Sequence, residues 1–245
     1  MPSIEALIDR QLRRWEMEKR AREAQPAHER AGPPVHPVIT VSRERGCGGG
    51  RVAALVARQF DYTLLHHDVI DRICRSSGIR RSIVAALDEH ARSQVDIWCD
   101  AMLGQRYADA DDYVRMLLQT IRSVAELGGA VVVGRGSNFV IGPERGLHVR
   151  VVAPREWRIR RLVEHARMNE RSAAQEVAAR DRERAEFIRK VYSRDIADPT
   201  AYDLVINTGA MSFEAAANVI EAAAREKFGQ LPHAIPPLAE MREQW

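Results

Sequence analysis

Residues 38–60 constrain this chain more than any other stretch: Val-Ile-Thr-Val-Ser and then RERGCGGGRVAALVARQF. A short β-branched run ends at Ser42, Gly46, Gly48, Gly49 and Gly50 follow, and an apolar, alanine-rich helix starts near Arg51. Strand, glycine loop and helix N-terminus together build an anion site from backbone alone. Glycines let N–H groups crowd around a phosphate, and the unpaired amides of the first helical turn add partial positive charge.

The standard phosphate loop reads G-x-x-x-x-G-K-[ST]: its lysine reaches the β- and γ-phosphates and its hydroxyl holds magnesium. Here Gly49 or Gly50 stands at the lysine position and Arg51 where the hydroxyl would be. The loop keeps the phosphate cradle and lacks the two groups that act on the far phosphate. No lysine is near enough in sequence to replace the missing one, since the chain has only Lys19, Lys190 and Lys227.

Alternating strands and helices follow from residue 38 onward. Strands are expected at Val38–Ser42, Thr63–His67, Ala130–Gly134, Leu147–Ala153 and Asp203–Asn207. Helices are expected at 51–60, through most of 69–128 with a break near Gly104–Asp112, from Pro154 to about 168, over 173–194, and from Ser212 to about Lys227. Short apolar strands separated by helices imply a parallel sheet covered on both faces.

The first 24 residues read as one more helix, with Ile4, Leu7, Ile8, Leu12 and Trp15 on one stripe. Pro26, Pro33, Pro34 and Pro37 then form a stiff connector, so 1–36 is expected to be an arm, 37–228 the main domain and 229–245 a tail. The arm has three readings: packing on its own domain, a homodimer contact, or a membrane-surface helix.

The 245 residues are 45% hydrophobic with a net charge of +3, which is too small to argue for nucleic acid. No apolar run approaches the roughly 20 residues of a membrane span. The charged start lacks the apolar middle of a secretory signal. Cys47, Cys74 and Cys99 are an odd number without CxxC spacing, so neither a disulfide framework nor a zinc site is indicated, and a cytoplasmic protein is expected.

In such a sheet ligands sit at the carboxyl ends of the strands. Four groups fall there. The first is the glycine loop, Arg45-Gly46-Cys47-Gly48-Gly49-Gly50-Arg51, with Arg43 beside it. The second is His66-His67-Asp68, where Asp68 either organises magnesium-bound water or a substrate hydroxyl, or caps the next helix. The third is Gly134-Arg135-Gly136-Ser137, whose arginine suits a phosphate or a structural salt bridge. The fourth is ARDRERAEFIRKVYSRD, residues 179–195, in which Arg180 and Arg184 share one helix face and Asp181, Glu183 and Glu186 can offset them. That run is either a solvated, self-neutralising face or a lid carrying cations to a transferring phosphoryl group.

The ordered set VSRERGCGGGRVA, LLHHDVIDRI, VVVGRG, RDRERAEF and YDLVINT resembles the cytidylate kinase-like family, a divergent branch of the nucleoside monophosphate kinases, over about 38–228. The resemblance implies an α/β fold of the P-loop NTPase type: a parallel five-stranded sheet with helices on both faces, a helical acceptor insert and a lid. It implies transfer of the γ-phosphate of ATP to CMP or a related nucleotide, with Mg²⁺. By the same resemblance Gly46, Gly48, Gly49 and Gly50 form the phosphate loop and Arg51 is its basic residue. Asp68 begins the acceptor region and Arg135 contacts phosphate, while Asp181 and Arg184 belong to the lid. The departures are the loop lysine and threonine, and an Asp-Gly-Arg reduced to Gly134-Arg135. With those groups absent, a nucleotide-binding regulatory protein with little or no turnover is the alternative. In the acceptor stretch, Asp96, Arg106, Asp109 and Arg115 are polar candidates, and none specifies a base.

Overall fold

A computed structural model describes residues 4–23, 36–103 and 112–229. Arg106 and Asp109, the connector from 24 to 35 and the tail from 230 lie outside the described residues.

The helix Ile4–Glu23 (α1) precedes strand Val38–Arg43 (β1), helix Gly49–Gln59 (α2) and strand Thr63–Leu65 (β2). Helices His67–Arg75 (α3), Ser77–Ala86 (α4), Glu89–Leu103 (α5) and Asp112–Leu127 (α6) come next. Strand Ala130–Val133 (β3), strand Gly146–Val152 (β4), helices Arg155–Ala166 (α7) and Glu170–Tyr192 (α8), strand Leu204–Asn207 (β5) and helix Phe213–Phe228 (α9) complete the order. The five strands form one parallel sheet, as the resemblance implies, in the order β2-β3-β1-β4-β5. The chain moves outward from β1 to β2, returns through β3, and crosses to β4 and β5. β1 therefore lies at the switch point, where ligands enter such sheets.

Period-two alternation along the strands divides the core. Val38, Val132 and Leu65 face the layer built by α1, α3–α6 and the end of α8. Ile39, Val41, Val131, Val133, Val149 and Ile206 face α2 and α9. Both faces are apolar, which is why the strands read as continuous β-branched runs.

Two sequence expectations change. β2 stops at Leu65, because His66 is the N-cap of α3 and His67 its first residue. Asp68 therefore lies in the first turn of α3, where its charge suits the helix N-terminus, and is not the cap itself. The second correction concerns α1, which is not a detached arm. Ile8 and Trp15 belong to the main core, Leu12 packs against it, and the Trp15 indole donates to Gly128 O at 2.9 Å. Lys19 Nζ reaches Ala85 O and Leu87 O at 3.0 and 3.1 Å. Of the three readings, packing on its own domain is the one observed. A homodimer contact through α1 would have to use other residues. Among the described residues, no helix is long and apolar enough to cross a membrane.

Trp15 is 3% exposed. Trp15→Ala is expected to cost about 3–5 kcal/mol through the lost transfer energy and the cavity left behind, measured by denaturant unfolding. A cost below about 1 kcal/mol would show that α1 is dispensable to the core.

Candidate active site

The turn from β1 into α2 is held by contacts that demand its glycines. Gly46 has φ +86°, and a Cβ there would lie 2.9 Å from Arg158 O. Gly48, the N-cap of α2, has φ +81° and faces the Phe213 ring at a distance that leaves no room for a Cβ. Among the described residues, the amides of Gly46, Cys47 and Gly48 donate to no protein acceptor. Cys47 points inward: its Sγ lies 3.3 Å from Val151 O, and burial raises its thiol pKa, so it is packing rather than a nucleophile. Thr208, just past β5, braces the loop with its Oγ1 2.6 Å from Cys47 O.

Beside this loop, at the carboxyl ends of β1 and β3, lies a cavity of about 500 Å³ roofed by α8. Arg43, Arg45, Arg135, Arg180 and Arg184 line it, with Glu176 and Glu183 as the acids in the wall. Of the residues named from the sequence, the structure brings Arg45, Arg135, Arg180 and Arg184 together in this lining. Arg51 and Asp68 are both exposed and outside the cavity lining.

Local charge pairing is uneven. Arg135 bridges Asp71 with Nε at 2.8 Å and with Nη2, and Tyr113 donates to the same carboxylate at 2.7 Å. Burial alone would raise the Asp71 pKa, but these bonds hold it below the usual carboxylate range. Arg135 itself has φ +56° between left-handed Gly134 and Gly136, and the Tyr192 hydroxyl donates to its carbonyl at 2.7 Å. Such a backbone persists only when its surroundings hold it; here Asp71 and Tyr192 do so. Arg45 pairs with Glu176 at 3.2 Å, and Arg180 with Glu176 and Glu183 at 3.3 and 2.8 Å.

Arg184 and Arg43 are left with the least compensation. Arg184 Nη1 donates to Arg43 O at 3.1 Å and is 3.7 Å from Asp181 Oδ1. Arg43 has no ion pair among the described residues; its Nη2 lies 3.4 Å from His67 Nδ1. Burial, and then the nearby Arg184, lower the Arg43 pKa to about 10. Burial also lowers the His67 pKa, with Arg43 and Arg135 acting in the same sense, so a neutral ring is available to accept from Arg43.

Asp181 lies behind the cavity wall and fastens the roof. Its Oδ1 accepts the Arg45 amide at 2.7 Å and its Oδ2 accepts from Arg158 Nη1. Sequence reasoning placed Asp181 in the lid but missed Arg158, Asp71 and Tyr113, and gave Arg43 no role beyond flanking the loop. Asp71 is one helical turn past Asp68, so the spacing alone could have nominated it. The Arg158 contact joins α7 to α8 and the loop, and no local pattern shows it.

Among the described residues, no three His, Cys, Asp or Glu side chains cluster into a metal site. A magnesium ion bound with phosphate needs only one or two carboxylates besides phosphate oxygens and water; Asp68, the carboxylate named for that role from the sequence, is exposed and outside the cavity lining.

Residues 38–210 match the Cytidylate kinase-like family. A cytidylate kinase from Staphylothermus marinus is 28% identical over 187 residues, 75% of this chain and 93% of that protein. A cytidylate kinase from Ignicoccus hospitalis is 29% identical over 107 residues, 44% of this chain and 60% of that one. A uronate isomerase from Corynebacterium glutamicum is 34% identical over 116 residues, which span 46% of this chain and only 22% of that protein. The crystal structure of an uncharacterized protein from Eubacterium ventriosum superposes with a TM-score of 0.64 at 18% identity, covering 78% of this chain and 99% of that one; it shows the fold alone. The family match takes in the phosphate loop, the Gly-Arg-Gly turn and the whole of α8, and this chain belongs to the cytidylate kinase-like family.

Proposed function

We propose that the protein transfers the γ-phosphoryl group of ATP, as its magnesium complex, to CMP or a related nucleoside monophosphate. The observation that carries this reading is the cavity itself. It adjoins the phosphate loop, is roofed by α8, and holds more arginine charge than its acids offset. Phosphoryl transfer asks a protein for positioning and for cations over the transferring group rather than for covalent chemistry. The amides of Gly46, Cys47 and Gly48, which have no protein acceptor among the described residues, would hold donor phosphates. Arg135, fixed by Asp71, would orient the acceptor phosphate, and Arg184 with the more exposed Arg180 would meet the charge that develops between the two. Bound magnesium would neutralise donor oxygens, with Asp68 holding its water shell, while Asp181 would keep the roof in register. The family membership supports the reading, as do the two relatives named cytidylate kinase.

The missing loop lysine and hydroxyl favour a second reading, a nucleotide-binding regulatory protein with little turnover. Purified protein with Mg·ATP, assayed against the common nucleoside monophosphates, separates the two. Transfer to at least one, with CMP foremost, is expected; transfer to none, with ATP still bound, would establish the regulatory reading.

Replacing Arg180 and Arg184 together by alanine should leave ATP affinity within a few-fold and reduce transfer by about 10²-fold or more, the scale of a lost electrostatic stabiliser. Arg184→Ala alone should account for most of it, because Arg180 is exposed and already paired with two glutamates. Equal turnover in the double variant would make α8 a solvated face.

Gly48→Val places a side chain against Phe213 on a left-handed backbone. It should lower nucleotide affinity at least tenfold in a protein that keeps its circular dichroism. Unchanged affinity would place the nucleotide elsewhere.

A further inference from the structure

Gly49 stands where the standard phosphate loop carries its lysine, and its surroundings show what has taken that space. A Cβ built on Gly49 would lie 2.6 Å from Arg43 Cβ and 3.3 Å from both Arg43 Cγ and Val151 Cβ. The aliphatic stem of Arg43 fills the volume a side chain at position 49 would need. From there the guanidinium passes directly over the Gly134 turn, which has no room for a side chain beneath it, and enters the cavity beside Arg135 and Arg184. Arg51, by contrast, is exposed in the first turn of α2 and does not line the cavity.

We propose that Arg43 is the cation for the donor's terminal phosphates, acting from the end of β1 in place of the loop lysine, and that glycine at 49 is the space it requires. The chemical partner is a polyphosphate chain, identified with the triphosphate of ATP if the kinase reading above holds. Three independent observations agree. The stem and Gly49 exclude any side chain at 49 unless one of them moves. The guanidinium has no carboxylate partner among the described residues, whereas Arg45, Arg135 and Arg180 each have one. Its neighbours Arg184, Arg135 and Arg45 are cations, so an arriving phosphate would be the anion that balances the group; burial, and then their repulsion, already lower its pKa. An arginine serves this purpose with a planar fork able to hold two phosphate oxygens, where lysine supplies a point charge.

The test is calorimetric titration of the full chain with inorganic tripolyphosphate, without acceptor or turnover, with transfer assayed in parallel. Arg43→Gln, which keeps the stem and removes the charge, should lower tripolyphosphate affinity at least tenfold with the unfolding midpoint near the parent's. Gly49→Lys in the parent background should weaken binding and lower the midpoint, since its side chain meets the Arg43 stem. The double variant Arg43→Gly, Gly49→Lys, which rebuilds the standard arrangement, should recover affinity to within a few-fold. Parent-like affinity in Arg43→Gln would overturn the proposal. So would a folded double variant that recovers nothing, a parent that does not bind tripolyphosphate, or a loss seen in Arg51→Ala and not in Arg43→Gln. If binding depends on Arg43 while no nucleotide is phosphorylated, the kinase reading fails and the assignment of Arg43 stands.

Discussion

The Asp181 carboxylate accepts the Arg45 amide with one oxygen and the Arg158 guanidinium with the other, and through these bonds α8 is set over the carboxyl ends of β1 and β3. Arg158 is 8% exposed and also reaches Ala153 O, Arg45 O and, at 3.4 Å, Glu44. A buried guanidinium tolerates this place only with its donors satisfied and a carboxylate opposite. One charge-assisted knot therefore ties α7, α8 and the phosphate loop together. Without it, Arg184 would lose its registration over Arg43, and the cavity would lose its roof.

The distribution of charge around that knot gives the site its chemical character. Most arginines here are matched locally: Arg135 by Asp71, Arg45 by Glu176, Arg180 by Glu176 and Glu183. Matched pairs hold shape. The surplus falls on Arg43 and Arg184, which stand together between the loop and the Gly-Arg-Gly turn. Two weakly compensated guanidiniums inside a roofed cavity cost free energy until an anion arrives, so stability is traded for anion affinity at the point where a phosphoryl group would pass. The missing lysine and hydroxyl of the loop do not leave the site without positive charge; they change where it comes from.

Much of this was legible in the residues. Short apolar runs located all five strands, the glycines located the loop, and the i,i+4 spacing of Arg180 and Arg184 put both on one helix face, which lines the cavity. What escaped the sequence depends on contacts between distant segments or on helix phase. The proline connector after α1 says that the chain turns, not that Trp15 comes back to Gly128. His66 and His67 continue an apolar strand in composition, yet His66 caps α3, which shortens β2 and turns Asp68 outward while Asp71 faces Arg135. Arg51 looked like the basic residue of the loop because it is adjacent in sequence. The first turn of α2 instead carries it to solvent, and Arg43, which lies before the glycines, reaches the cavity. The pairing of Arg158 with Asp181 spans α7 and α8 and leaves no periodic trace.

The central claim is that the phosphate loop and the arginine-lined cavity are two halves of one site. A crystal structure with a dinucleoside pentaphosphate joining adenosine to cytidine tests it most directly. One continuous ligand is expected, with its donor-side phosphates on the amides of Gly46, Cys47 and Gly48 and against Arg43, and its acceptor-side phosphates against Arg135 and Arg184. A ligand bound with its phosphates outside the cavity, or held at Arg51 and away from Arg43, would contradict it.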